Sequence, residues 1–208
     1  MKILFSAVLS IPPGKPGSIW HRLHYILGLR DLGHDVYVVE ETYPGACVDD
    51  AGSEVPFRDS ANVRIFGDLM RTFELEDRGC LLYDGGRETH GLSLDRMVAI
   101  SEEADLLINL SGHLSTGPVF EGPRCRLYVD EDPVYTQLWS SEYAVDLNFE
   151  HHEVFATCGL NIGTDRSPIP DCSIDWIHTL PPVFLPEEWS PPASDAGSYT
   201  TVASWDVF

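Results

Sequence analysis

Two short apolar runs, KILFSAV (Lys2–Val8) and DVYVVEE (Asp35–Glu41), flank a segment whose apolar residues recur at helical spacing. No other feature of the sequence constrains the fold as much. Each run has the length of a buried strand and is too short for a buried helix. Between them Ile19, Leu23, Ile26 and Leu27 fall on one face of a helix predicted from Ser18, as N-cap, to Leu32. Gly33 is its expected C-terminal stop. Strand, helix and strand within about forty residues make a βαβ unit, with parallel strands and a right-handed crossover.

The pattern repeats. Asn62–Phe73 reads as a helix and Cys80–Asp84 as a strand. Leu92–Ala104 reads as a helix capped by Ser93, with Leu92 stapled onto Met97. Further strands are expected at Asp105–Gly112, Arg126–Asp132, Val154–Ile162 and Ile174–His178. HLSTGPVFEGP, from His113 to Pro123, has no helical pattern and reads as a loop crossover; one or two short helices are expected between Pro133 and His152. The predicted architecture is α/β: a Rossmann-like, doubly wound, mostly parallel sheet of about six strands in a single domain. That domain spans 1–180; 181–199 is a stiff, Pro-rich linker with PPVFLPEEWSPP at its start, and 200–208 starts a second domain or a packing tail.

Charge narrows the partners. Thirteen Lys and Arg face 33 Asp and Glu, for a net charge of −20. Such a surface repels phosphate backbones and anionic lipid, which makes nucleic acid and membrane surfaces poor partners; no nucleic acid is expected. No run of about 18 apolar residues offers a membrane span. The five cysteines are widely spaced, without a C-x-x-C pair, which predicts free thiols, no zinc site and a reducing, cytoplasmic setting.

In an open α/β sheet ligands bind beyond the carboxyl ends of the strands. PPGKPGS, from Pro12 to Ser18, lies there but has neither the dinucleotide nor the P-loop pattern. Pro13 and Pro16 also lack the N–H donors that a phosphate cradle uses. With Ser18 as cap, His21 falls at the third helical position, where the helix dipole favours a neutral ring able to act as a base. His24 lies one turn on. LYVDEDPVYTQLW (Leu127–Trp139) holds the densest polar group, with Asp130, Glu131 and Asp132 closing a strand. The D-x-D pair suits a divalent cation, although a solvated strand end with an acidic N-cap for the next helix is the simpler reading. NLSGHLSTG offers Ser111, His113, Ser115 and Thr116 to hydroxyls or an oxyanion, or as ordinary turn residues. His151 and His152 diverge on a helix and are not a metal pair.

Taken in order, KILFSAV…GSIWHRLHYILGLRDLGHDVYVVEE, ADLLINLSGHL, LYVDEDPVYTQLW and CGLNIGTDRSPIPDCSIDWIHTLPPV resemble the amino-terminal half of bacterial GT-B glycosyltransferases. The resemblance covers residues 1–205 and rests on motif order. It implies an acceptor-binding domain, a nucleotide-sugar donor held by a second, carboxy-terminal domain, no metal or other cofactor, and no turnover without that domain. By the same resemblance His21 is the base and Asp130 its orienting carboxylate, with Asp132 an alternative orienter and His113 an alternative base. The PPGKPGS loop becomes a wall of the acceptor pocket. A sugar or aromatic acceptor is expected to meet Trp20, His24, His113, Asp132, Tyr135 and Gln137, with Tyr25 and Trp139 nearby. Two other readings remain open: a stand-alone module docking on a partner through 181–208, and a metal-dependent phosphoryl-transfer enzyme built on Asp130 and Asp132.

Overall fold

The computed structural model describes residues 1–10, 16–115 and 117–186. Its chain order is β1 (Lys2–Ser6), α1 (Pro16–Asp31), β2 (Asp35–Thr42), α2 (Ala61–Thr72), β3 (Gly79–Tyr83), β4 (Glu88–Gly91), α3 (Leu94–Glu103), β5 (Leu106–Leu110), α4 (Gly117–Glu121), β6 (Arg126–Asp130), α5 (Tyr135–Ser141), β7 (Val154–Thr157) and β8 (Trp176–His178). The strands form one sheet in the order β4-β3-β2-β1-β5-β6-β7-β8. All pairs are parallel except β3–β4. The α/β, Rossmann-like expectation holds, with eight strands where about six were expected. Seven of the eight fall on the strand segments named from the sequence; β4 alone was not foreseen, being the short return of a hairpin after Tyr83 whose sequence ETHG has none of the apolar signal that marks a buried strand.

The sheet is covered on both faces. Phe5, Val38, Leu81 and Ile108 pack beneath Leu23 and Ile26 of α1 and Phe66 and Met70 of α2. Leu4, Val39, Leu82 and Leu107 meet Met97 of α3 and Val119 and Phe120 of α4 on the opposite face. Leu23 and Ile26 are fully buried, and each stabilises the docked helix by about 1.5–3 kcal/mol. Ser93 caps α3 as expected, its Oγ accepting the Arg96 N–H at 3.3 Å. Residues 113–123, read from sequence as a loop, include the five-residue helix α4; buried Val119 and Phe120 tether it to the sheet, a tertiary stabilisation that periodicity in so short a segment cannot show.

The start of α1 also differs from expectation. The helix begins at Pro16, whose missing N–H is harmless in a first turn. Ser18 is therefore the third helical residue rather than the N-cap. His21 becomes the sixth helical residue rather than the third, beyond the turn in which the dipole acts strongly. The PPGKPGS loop up to Lys15 lies outside the described residues, as do Thr116, residues 187–199 of the expected linker and all of 200–208. Residues 181–186 run beside α1: the Phe184 N–H donates to His24 Nδ1 at 3.0 Å. No helix among the described residues is long and apolar enough to cross a membrane.

Candidate functional site

Chain order reverses across the sheet between β1 and β5, because β2, β3 and β4 lie to one side of β1 and every later strand to the other. At such a switch point the loops leaving the two central strands turn opposite ways and open a crevice. A cleft of about 430 Å³ lies there. Val8 after β1, Glu41 and Thr42 of β2, Asp84 after β3, and His113 and Ser115 after β5 line it. Arg22 of α1 also lines a second recess of about 370 Å³, formed by Gly17, Ser18, His21, Glu131 and Asp132. One guanidinium thus borders both spaces.

Side-chain alternation along β6 decides which acid meets α1. Leu127 and Val129 pack on the face that α1 covers, and Tyr128 joins a separate aromatic cluster with Trp176. Continuing the alternation sends Glu131 towards α1 and Asp130 away. Glu131 Oε1 lies 3.0 Å from His21 Nε2, and Oε2 lies 3.5 Å from Arg22 Nε. The carboxylate side chain is 7% exposed and the His21 side chain 37%. A poorly hydrated anion therefore adjoins an accessible imidazole, which suits stabilising the imidazolium formed when the ring takes a proton. The contact is close but not aligned as a hydrogen bond, a looseness common at such sites before a ligand binds. Arg22 Nη1 also donates to the Val8 carbonyl, which fixes the guanidinium against the β1 loop. Tyr25 sets its ring edge-on to His21 at 5.8 Å. Burial, then the Glu131 and Cys158 charges, push its hydroxyl up to about 12, so it stays protonated.

Asp130 has a different role from the one its motif suggests. It is fully buried. Oδ1 accepts from Thr136 Oγ1 at 2.7 Å and the Asp132 N–H at 3.0 Å; Oδ2 accepts from Gln137 Nε2 at 2.9 Å and Thr157 Oγ1 at 2.7 Å. Four donors saturate the carboxylate and tie β6 to β7 and α5. Gln137 is committed too, since its Oε1 accepts the Val134 N–H at 2.6 Å and the side chain is buried.

The remaining candidates separate into groups. Asp132 stays with His21 in the smaller recess; partial desolvation, then the Glu131 and Asp130 charges, raise its pKa. His113 stands exposed at the larger cleft, its pKa lowered by desolvation and then by the Arg22 charge. Trp20 faces elsewhere, edge-on to Phe73 at 5.8 Å and beside Phe184. His24 holds Phe184 rather than facing either recess. Tyr135 and Trp139 are exposed on α5 with ring centroids 5.6 Å apart. His152 is buried, its Nε2 3.1 Å from Asn109 Nδ2. Among the described residues no group of three or more His, Cys, Asp or Glu side chains is placed to hold a metal ion.

Sequence reasoning placed Glu40, Glu41, Asp84 and Glu131 at the ligand edge of the sheet without giving any of them a role, and it missed Arg22. For Glu131 the signal was present, because it shares the parity of Leu127 and Val129. Glu40 is wholly buried and accepts the Ser10 N–H at 3.0 Å and Ser10 Oγ–H at 2.8 Å. Asn62 Nδ2 donates to the Ser10 carbonyl at 3.0 Å. The two side chains clamp the end of the β1 loop, a long-range pairing that no local pattern encodes. No protein-family model matches the chain, and no curated protein matches it.

Proposed function

We propose that this chain is the acceptor-binding part of a nucleotide-sugar-dependent glycosyltransferase. The observation that carries this reading is the His21–Glu131 contact, 3.0 Å long, beside a cleft at the switch point of the sheet. The order of motifs along the sequence, similar to the amino-terminal half of GT-B enzymes, supports it. In this reading Nε2 of His21 faces Glu131, and Nδ1 takes the proton of an acceptor hydroxyl. The acceptor oxygen then bonds to the anomeric carbon as the bond to the nucleoside diphosphate breaks. Glu131 takes the orienting role expected of Asp130 and steadies the imidazolium. An acidic rim complements a diphosphate poorly, so the donor is assigned to a second domain.

The saturated oxygens of Asp130 weigh against phosphoryl transfer on an Asp130–Asp132 cation site, because a cation there would have to displace four donors. Exposed Ile177, Leu180, Val183 and Leu185 favour the partner-docking reading. Those residues could contact a second domain or a second chain. The test is sugar transfer from nucleotide sugars by the full gene product. His21→Ala is expected to lower kcat by about 10²–10⁴-fold with acceptor affinity retained, and Glu131→Gln to lower it less. Transfer unaffected by His21→Ala would sink the reading.

A further inference from the structure

His21 has more freedom than its proposed work allows. Its side chain is 37% exposed, and the torsion that turns an imidazole about its Cβ–Cγ bond has only a broad preference. Glu131 lies 3.0 Å from Nε2, but the contact is not aligned as a hydrogen bond. Charge attraction of that kind holds a distance and leaves the plane of the ring loose. The plane has to be set by packing.

Tyr25 is placed to set it. It follows His21 by four residues on α1, so the two side chains are neighbours on one face of the helix. Their ring centroids are 5.8 Å apart with the planes at 83°, the edge-to-face arrangement that aromatic rings favour. Tyr25 is itself braced from below: its ring centroid lies 5.7 Å from that of Phe5, and Phe5 of β1 is fully buried. The tyrosine hydroxyl lies near enough to Glu131 for that charge to help raise its pKa. Tyr25 thus links the sheet core to both members of the His21–Glu131 pair. A leucine there would still cover Phe5, but it offers no flat ring for an imidazole to register against.

We propose that Tyr25 is a positioning residue for His21: its ring, braced on Phe5, fixes the imidazole plane so that Nε2 stays on Glu131 and Nδ1 stays free for the acceptor hydroxyl. The assignment rests on the acceptor-binding reading and adds to it the residue that pre-organises the base. Tyr25 touches no reacting atom and acts through His21 alone. The aromatic ring is what matters, and the hydroxyl is dispensable.

Two readouts test it: carbon-13 NMR relaxation of the His21 ring in the 208-residue chain, and sugar transfer by the full gene product. In the unaltered chain the ring C–H order parameter is expected near about 0.85, the value of a rigid backbone. Tyr25→Leu is expected to drop it below about 0.6. The same variant is expected to lower kcat by about tenfold or more with acceptor KM unchanged, since a misplaced base costs rate rather than binding. Tyr25→Phe keeps the ring and retains both values. Ile26→Val thins the core under the same helix and leaves the His21 ring ordered and kcat unchanged, which separates positioning from a general loss of packing. A His21 ring already mobile in the unaltered chain, or as ordered in Tyr25→Leu as without it, overturns the assignment and leaves His21 standing as the base. A loosened ring with undiminished kcat overturns it as well. Transfer that survives His21→Ala removes the base itself and the assignment with it, so the variant that proves silent tells the two failures apart.

Discussion

At the scale of single residues, the neighbouring acids Asp130 and Glu131 at the end of β6 do opposite work. Asp130 is a buried anion made tolerable by four donors, and removing its charge or one acceptor leaves hydroxyls and an amide unmatched. Asp130→Asn is expected to destabilise the fold by about 3 kcal/mol, read from urea unfolding. Glu131→Gln should cost less, because Oε1 holds no aligned hydrogen bond and the loss is confined to the 3.5 Å pairing of Oε2 with Arg22 Nε. Glu40 shows how burial couples to pH. Burial raises its pKa from 4.5 to about 7, against the opposing Ser10 hydrogen bonds and the Arg22 charge. Between those values the folded state keeps a proton that the unfolded chain has released. Stability is therefore highest below pH 4.5 as far as this group is concerned, and it falls as pH rises to about 7, by on the order of 3 kcal/mol. Glu40→Gln is expected to flatten that slope in urea titrations run across the same pH range.

At the scale of elements, the loop after β5 depends on one glycine. Gly112 has φ +69°, and a Cβ there would run into the Leu147 carbonyl and the Tyr128 ring. Gly112→Ala is expected to destabilise the protein and to shift the His113 ring resonances in NMR spectra, since strain enters one residue away. The β7 approach has its own pH device. Burial lowers the pKa of His152. The unfolded chain then binds a proton that the folded state resists, so stability falls as pH drops through the ordinary histidine value of 6.5. His152→Phe should remove that acid-side loss in thermal melts at pH 5.5 and 7.5, while the Glu40 slope persists. Alternation along β6 is legible in the amino-acid sequence alone: residues 127, 129 and 131 share one face. The D-x-D pattern draws attention to the other face, and with it to a carboxylate that never meets α1.

At the scale of the whole molecule, the sheet order places the cleft and the net charge of −20 surrounds it. Like charges repel more in the compact state than in the expanded one. Raising sodium chloride from about 20 mM to about 0.5 M, which shortens the screening length severalfold, is expected to raise Tm. A Tm that falls with salt would show that the local ion pairs, such as Arg126–Glu153 and Arg78–Asp35, outweigh the global repulsion. The central strands β1, β2 and β5 carry the fully buried Leu4, Phe5, Val38, Val39 and Leu107. They are the expected core of slowest hydrogen exchange, with the α5 region faster.

The fold class was written in the sequence because hydrophobic periodicity is local: a strand of five residues and a helix of sixteen each declare themselves within their own length. The strand–helix alternation then leaves a parallel sheet as the way to bury both faces. The position of a ligand crevice followed from that topology. Which side chains converge there was decided by tertiary structure alone. His21 meets Glu131, Glu40 meets Ser10, and Glu41 meets Ser115 across 30 to 110 positions of chain, and such meetings depend on helix register, strand parity and loop geometry together. A helix that starts two residues before its expected cap, or an acid on the other face of one strand, changes the partner without changing the pattern.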